Sequence, residues 1–214
     1  MTKNTVVIKI NSMEWQPSPS TSVWRKRLEH IGEVESGIVT SIVRYDPDSK
    51  FKEHNHPDGE EIFVLDGTFS DEHGDWPEGT YLLNPEGHAH SPRSQKGCTL
   101  FVKLRQYPGK SRKQITINTN EISWKKNDNN KKIKTLYKED GYPEEMRLEK
   151  WDAGTEVEKS LYPKGAEILV LKGTLQDENG FYSKLNWLKF PPNSTHKPFS
   201  ENGCEFYIKT GSNF

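Results

Sequence analysis

His54, His56, Glu60 and His90 are the residues of this 214-residue chain whose types and spacing could do chemistry. Two imidazoles one residue apart point the same way on an extended backbone, because strand side chains alternate. Pro57, Asp58 and Gly59 then turn the chain, and Glu60 opens an apolar strand that ends at Gly67. His90 follows a second turn containing Pro85 and Gly87. Three nitrogens and one carboxylate suit a borderline divalent cation, so a metal centre is the expectation. Each piece alone is common in solvated turns; the joint spacing is not.

His88 shares strand parity with His90 and competes as the third imidazole, while His73 and His30 read as surface residues. Between the two adjacent acids, parity decides. Glu60 shares a face with Ile62 and Val64, which should point inward, whereas Glu61 faces with Phe63 and Leu65. Glu61 is therefore expected to do a structural job, such as pairing with a loop.

The elements that must position these residues are short strands. Residues 5–10, 37–45, 60–67, 79–83 and 98–104 read as strands, separated by turn residues every 8–12 positions. Residues 15–22 read as loop, residues 24–30 are ambiguous, and no amphipathic helix is evident. The pattern predicts an all-β barrel or sandwich. It also returns. Pro57, Gly59, Glu61, Ile62, Gly67, Asp71, His90 and Cys98 recur as Pro163, Gly165, Glu167, Ile168, Gly173, Asp177, His196 and Cys204, all 106 residues on. Such a constant offset means two copies of one domain, 1–110 and 111–214, joined near 108–113. The Asn- and Lys-rich run 125–134 is expected as a solvated loop.

In the second copy Ser160, Tyr162 and Ala166 replace His54, His56 and Glu60, leaving only His196. One imidazole does not hold a divalent ion tightly, so this copy reads as a packing partner, an internal pseudo-dimer; a metal-free ligand pocket is the alternative. Cys98 and Cys204 occupy equivalent places in both copies, which points to core packing and not to ligation or catalysis.

Composition narrows the setting. A net charge of -1 gives no argument for nucleic acid or an anionic membrane as partner. No apolar run is long enough for a spanning helix, the first residues lack a signal-peptide core, and two distant cysteines make no disulfide framework. A cytoplasmic location is the expectation.

The spacing His54-x-His56-x-x-x-Glu60, then Gly67, with Gly79, Pro85, Gly87 and His90 following, resembles the two cupin motifs. The wording around it, including Asp71-Glu72-x-Gly74, His90-Ser91-Pro92 and Gly97-Cys98, is most similar to the ChrR-like cupins. Ser94 stands where that pattern has Asn, and Asp48 where it has Gly. The resemblance covers the whole chain and implies two tandem cupin barrels, with zinc or iron held by three His and one Glu in the first. Zinc is the leading expectation and iron(II) the alternative, with nickel or manganese also compatible.

The founding relative in that group is an anti-sigma factor whose cupin follows a helical, zinc-binding domain. Only four residues precede the first strand here, so that gripping domain is not expected. Other relatives are dioxygenases with non-haem iron. Two functions follow as expectations: a regulatory, sensor-like metal-binding protein, or a metal-dependent dioxygenase acting on a small oxygenated molecule. A third possibility is a scaffold whose metal serves folding alone.

Overall fold

The computed structural model describes residues 4–33, 36–128 and 130–211. These form strands and turns, with a short 3-10 turn at Ile10–Ser12 and no α-helix. The all-β class expected from the turn spacing is what the chain adopts. Two compact units emerge, Met13–Ile122 and a second built from Met1–Ser12 together with Ser123–Phe214.

In the Met13–Ile122 unit the main sheet is antiparallel. It runs Ile115–Asn118, Thr80–Asn84, Glu60–Ser70, Cys98–Leu104, Ile38–Tyr45, Val23–Ile31, Gln16–Pro17. Residues two apart on these strands point inward together. Val23, Val43, Ile62, Val64, Leu82, Leu100 and Val102 thus meet in one buried cluster. Each such aliphatic contributes roughly 1.5–3 kcal/mol on burial. The opposite faces carry Phe63, Tyr81, Leu83 and Phe101, also buried, so these strands read as continuous apolar runs and not as alternation. Residues 24–30, ambiguous in sequence, belong to the strand Val23–Ile31.

A β-bulge kinks the strand Glu60–Ser70 where its register with Cys98–Leu104 shifts. The unpaired residue is Leu65; two residues on, Gly67 lies opposite Cys98 at φ +75, and a Cβ there would fall 2.3 Å from the Gly97 carbonyl oxygen. Its counterpart Gly173 is held in the same way, 2.2 Å from the Gly203 oxygen. Asp48, which replaces the glycine of the resembled motif, has φ 60, the left-handed region that Asp tolerates better than most residues.

The second unit repeats the plan, in the order Val6–Lys9, Asn186–Phe190, Ala166–Asp177, Cys204–Thr210, Glu145–Trp151, Lys131–Lys138, Lys125–Asp128. Its core gathers Ile168, Val170, Leu188, Phe206 and Ile208. The repeat boundaries and the compact units differ at one strand per copy. Val6–Lys9 pairs with Asn186–Phe190, and Ile115–Asn118 pairs with Thr80–Asn84. Each copy's opening strand therefore completes the sheet edge of the other copy, covering backbone groups that an edge would leave unpaired.

The run 125–134 is not a loop. Lys125–Asp128 and Lys131–Lys138 form a hairpin around Asn130, which has φ 61. Lys134 is buried, with its ammonium 4.6 Å over the Trp124 ring. Long lysine stems pack along apolar surface while polar composition alone suggests solvent.

Candidate metal centre

A two-stranded ribbon builds the site. His54–Asn55 pairs antiparallel with Ala89–His90, and His90 lies directly opposite His54. Opposed residues of such a pair have neighbouring side chains. His56 lies two residues beyond His54 and so returns to the same face; its N–H donates to the His88 carbonyl at 2.9 Å, and its carbonyl accepts from Gly87 N–H at 2.9 Å. One ligand nitrogen from each of His54, His56 and His90 lies within 4.8 Å of the others. These three could hold a metal ion.

Glu60 enters from the first residue of its strand and is buried. Its Oε2 stands 3.5 Å from His56 Nε2 and 3.5 Å from His90 Nε2. Asn84, directly across the ladder, donates Nδ2–H to the same oxygen at 3.2 Å. Glu61 turns the other way and accepts a hydrogen bond from the Tyr107 hydroxyl. Parity thus separates the two acids as the sequence suggested: one faces the imidazoles, the other ties down the segment that follows Cys98–Leu104.

The histidines are oriented from behind. His54 Nδ1 lies 2.8 Å from the Lys52 carbonyl oxygen, a contact that requires the proton on Nδ1 and leaves Nε2 bare. His90 Nδ1 lies 3.3 Å from Asp71 Oδ2, which places a proton on Nδ1 there too. A carboxylate behind a histidine fixes its ring and raises its basicity. His56 Nε2 and His90 Nε2 are only 3.0 Å apart. Without an ion the contact is a hydrogen bond in which one ring donates its Nε2–H to the other; a bound cation would take the place of that proton. At about 2.1 Å from one ion, two nitrogens bound at right angles stand about 3.0 Å apart, so the contact fits a shared divalent ion.

Protonation follows environment. Burial, the largest influence, lowers the His56 pKa and keeps its ring neutral. Burial also pulls His90 down, but the Asp71 hydrogen bond and the Glu60 charge outweigh it and raise the value. Asp71 feels burial first, which pushes it up; His90 and the His73 backbone N–H overcome that and hold it low.

His88 does not join the three; its ring lies 5.3 Å from that of His73 and 5.6 Å from that of His90. His73 and His30 are surface residues, His30 Nε2 lying 3.0 Å from the Glu33 carbonyl oxygen. Cys98 and Cys204 are buried, and burial pushes both thiols up to about 11, far from nucleophilic. Ser94 donates to the Thr68 carbonyl at 2.7 Å, as Ser200 does to Thr174. Sequence reasoning missed Asp71 and Asn84. Asp71 recurs as Asp177, but the repeat marked it only as a turn residue, and its Oδ1 does cap that turn by accepting from His73 and Gly74.

In the second copy Ser160 lies opposite His196 on the equivalent ribbon. His196 keeps the carboxylate behind it, Nδ1 to Asp177 Oδ2 at 3.1 Å, but its Nε2 is met by the Tyr162 hydroxyl at 3.1 Å. That hydroxyl takes the place His56 holds in the first copy.

The family model of the ChrR cupin-like domain matches residues 3–108 and again 112–213. The chain belongs to the ChrR cupin-like family. Its cupin fold is shared with solved structures at low identity. A proposed dioxygenase from Nostoc punctiforme superposes with a TM-score of 0.81 at 16% identity, over 98% of this chain and 83% of that one. The Escherichia coli pirin YhhW, solved with nickel(II), gives 0.72 at 14%, over 99% and 100%. Bacillus subtilis oxalate decarboxylase, with manganese(II) centres, gives 0.68 at 12%, over 100% and 78%. At these identities the likeness is one of fold. No curated protein sequence matches the chain. Among the described residues no helix is long and apolar enough to cross a membrane.

Proposed function

We propose that this cupin binds one divalent metal through His54, His56, Glu60 and His90, and acts as a metal-dependent enzyme of dioxygenase type on a small oxygenated organic molecule. The observation that carries this reading is the cavity of about 230 Å³ inside the first barrel, which has His54, His56, Glu60 and His90 in its wall and Ile62, Val102 and Leu104 among its apolar lining. A folding-only metal needs no such space beside it. Iron(II) held there supplies chelation of an oxygen-bearing substrate and access for oxygen, whereas zinc supplies an acidified water. The chain's own part is to aim Nε2 of His54 and His90 at the site through their Nδ1 contacts, to orient Glu60 through Asn84, and to line part of the space with apolar side chains. The dioxygenase-like neighbour is consistent with this reading.

A second reading, a metal-dependent sensor without turnover, is favoured by the match of the ChrR cupin-like family to both copies. Anaerobic reconstitution with iron(II), followed by oxygen uptake over a panel of diketones and hydroxyketones, separates the two. Uptake that needs iron(II) and disappears in His56→Ala supports the enzyme. Tightly held zinc with no uptake on any member of the panel supports the sensor.

A further inference from the structure

The wall of the cavity away from the imidazoles is cationic. Val23, Arg25 and Arg27 alternate on the strand Val23–Ile31 and all three line the cavity, as does Arg105, which lies just past Cys98–Leu104 and also pairs with Asp58 at 4.0 Å. Glu60 is the one carboxylate among the described residues of that lining. Trp24 and Lys26 take the opposite face of that strand, where the Lys26 ammonium and the Arg44 guanidinium both lie 4.7 Å from the Trp15 ring. Arg25 and Arg27 instead take the inward parity, opposite Val43 and Ser41 of the neighbouring strand. Arg27 donates to Gln16 Oε1 at 2.9 Å, which orients its guanidinium.

Ser41 supplies an independent sign. Its side chain is 2% exposed, it lines the same cavity, and its hydroxyl has no hydrogen-bond partner within the protein. Buried hydroxyls are rarely left so, and this one lies across the ladder from Arg27.

We infer that the cavity is built for an organic anion, a small keto acid or hydroxy acid whose carboxylate is read by Arg25, Arg27 and the Ser41 hydroxyl while its other oxygens face the imidazoles. This rests on the metal reading above and narrows it from oxygenated molecules to carboxylated ones. Guanidinium groups bind carboxylates by paired, charge-assisted hydrogen bonds, and a half-buried wall strengthens them. A neutral molecule of equal size gains none of this and leaves the Ser41 hydroxyl unmet.

The test uses the full chain loaded with cobalt(II) under argon and titrated calorimetrically with two probes, 2,4-dioxopentanoate and pentane-2,4-dione, which differ by a carboxylate in place of a methyl. The carboxylate probe is expected to bind at least about tenfold more tightly. Arg25→Gln and Arg27→Gln should each shrink that ratio about tenfold, while Ser41→Ala should shrink it less, and Arg25→Lys, which keeps the charge but not the paired contact, should fall between wild type and Arg25→Gln, cobalt content staying constant in every variant. Equal affinity for the two probes, or binding of neither by the cobalt-loaded protein, overturns this inference and leaves the metal centre standing. Failure of the chain to hold cobalt overturns the metal centre and this inference with it.

Discussion

Glu60 and Glu61 are neighbours in sequence, both buried, and opposite in role. Glu60 faces His56 and His90, while Glu61 accepts from Tyr107. Glu60→Gln is expected to weaken zinc retention at least about tenfold, as loss of a ligating or charge-balancing carboxylate does. Glu61→Gln should leave zinc content unchanged and lower stability by about 1–3 kcal/mol, the usual penalty for disturbing a buried charged hydrogen bond. Competition against a chromogenic chelator and urea unfolding check the two; equal zinc losses contradict the division of labour. At this scale the sequence was informative about which acid faces the imidazoles, because strand parity and the retained Glu167 already set Glu60 apart. Asn84 and Asp71 were not legible as partners of Glu60 and His90. Their contacts cross between strands, and no spacing along one strand encodes that.

The element that matters most is the ribbon placing His90 opposite His54. Two residues per strand cannot stand alone in water; turns and the bulged strand beside them fix it. Gly67 is the sensitive point, since a Cβ there meets the Gly97 carbonyl oxygen and φ is positive. Gly67→Ala should destabilise the protein by about 1–3 kcal/mol or more, through strain at a left-handed position together with the clash. Asp48→Gly, which relieves a positive φ, should be neutral to stabilising by up to about 1 kcal/mol. Thermal melts of both variants, read side by side, check these signs; a Gly67→Ala protein as stable as wild type contradicts the account of that close approach. Repetition of glycine at 67 and 173 made the turn visible in sequence. Fully buried strands such as Thr80–Asn84 were placed by their flanking turns alone, because both faces are apolar.

Across the whole chain, two copies share one plan and only the first keeps three imidazoles together. The 106-residue offset made the duplication plain, and the replacement of His54, His56 and Glu60 by Ser160, Tyr162 and Ala166 could be read position by position. The exchange of opening strands could not, since each copy's first strand has the same apolar pattern whichever sheet it completes. The Lys125–Asp128 hairpin was hidden for a related reason: its composition is that of a loop, while pairing depends on a partner strand. In the second copy burial would raise the Asp177 carboxyl, but hydrogen bonds from His196, the Asn179 amide and Tyr182 prevail and lower it. A carboxyl lowered in the folded state contributes stability above its unfolded value, about 3.9 for Asp, and loses it as pH falls through the folded value. Asp177→Asn should therefore destabilise by about 1–3 kcal/mol at pH 7, with the gap to wild type closing as the pH is brought below the usual aspartate range. A gap that stays constant down to acid unfolding contradicts this.

The account as a whole stands on one occupied centre per chain. Elemental analysis of the intact protein, purified without chelator and then saturated with zinc and desalted, tests it directly alongside His56→Ala and His196→Ala. One zinc per chain in wild type and in His196→Ala, with none in His56→Ala, is the result expected. Two zinc ions per chain, or retention of the metal by His56→Ala, contradicts it.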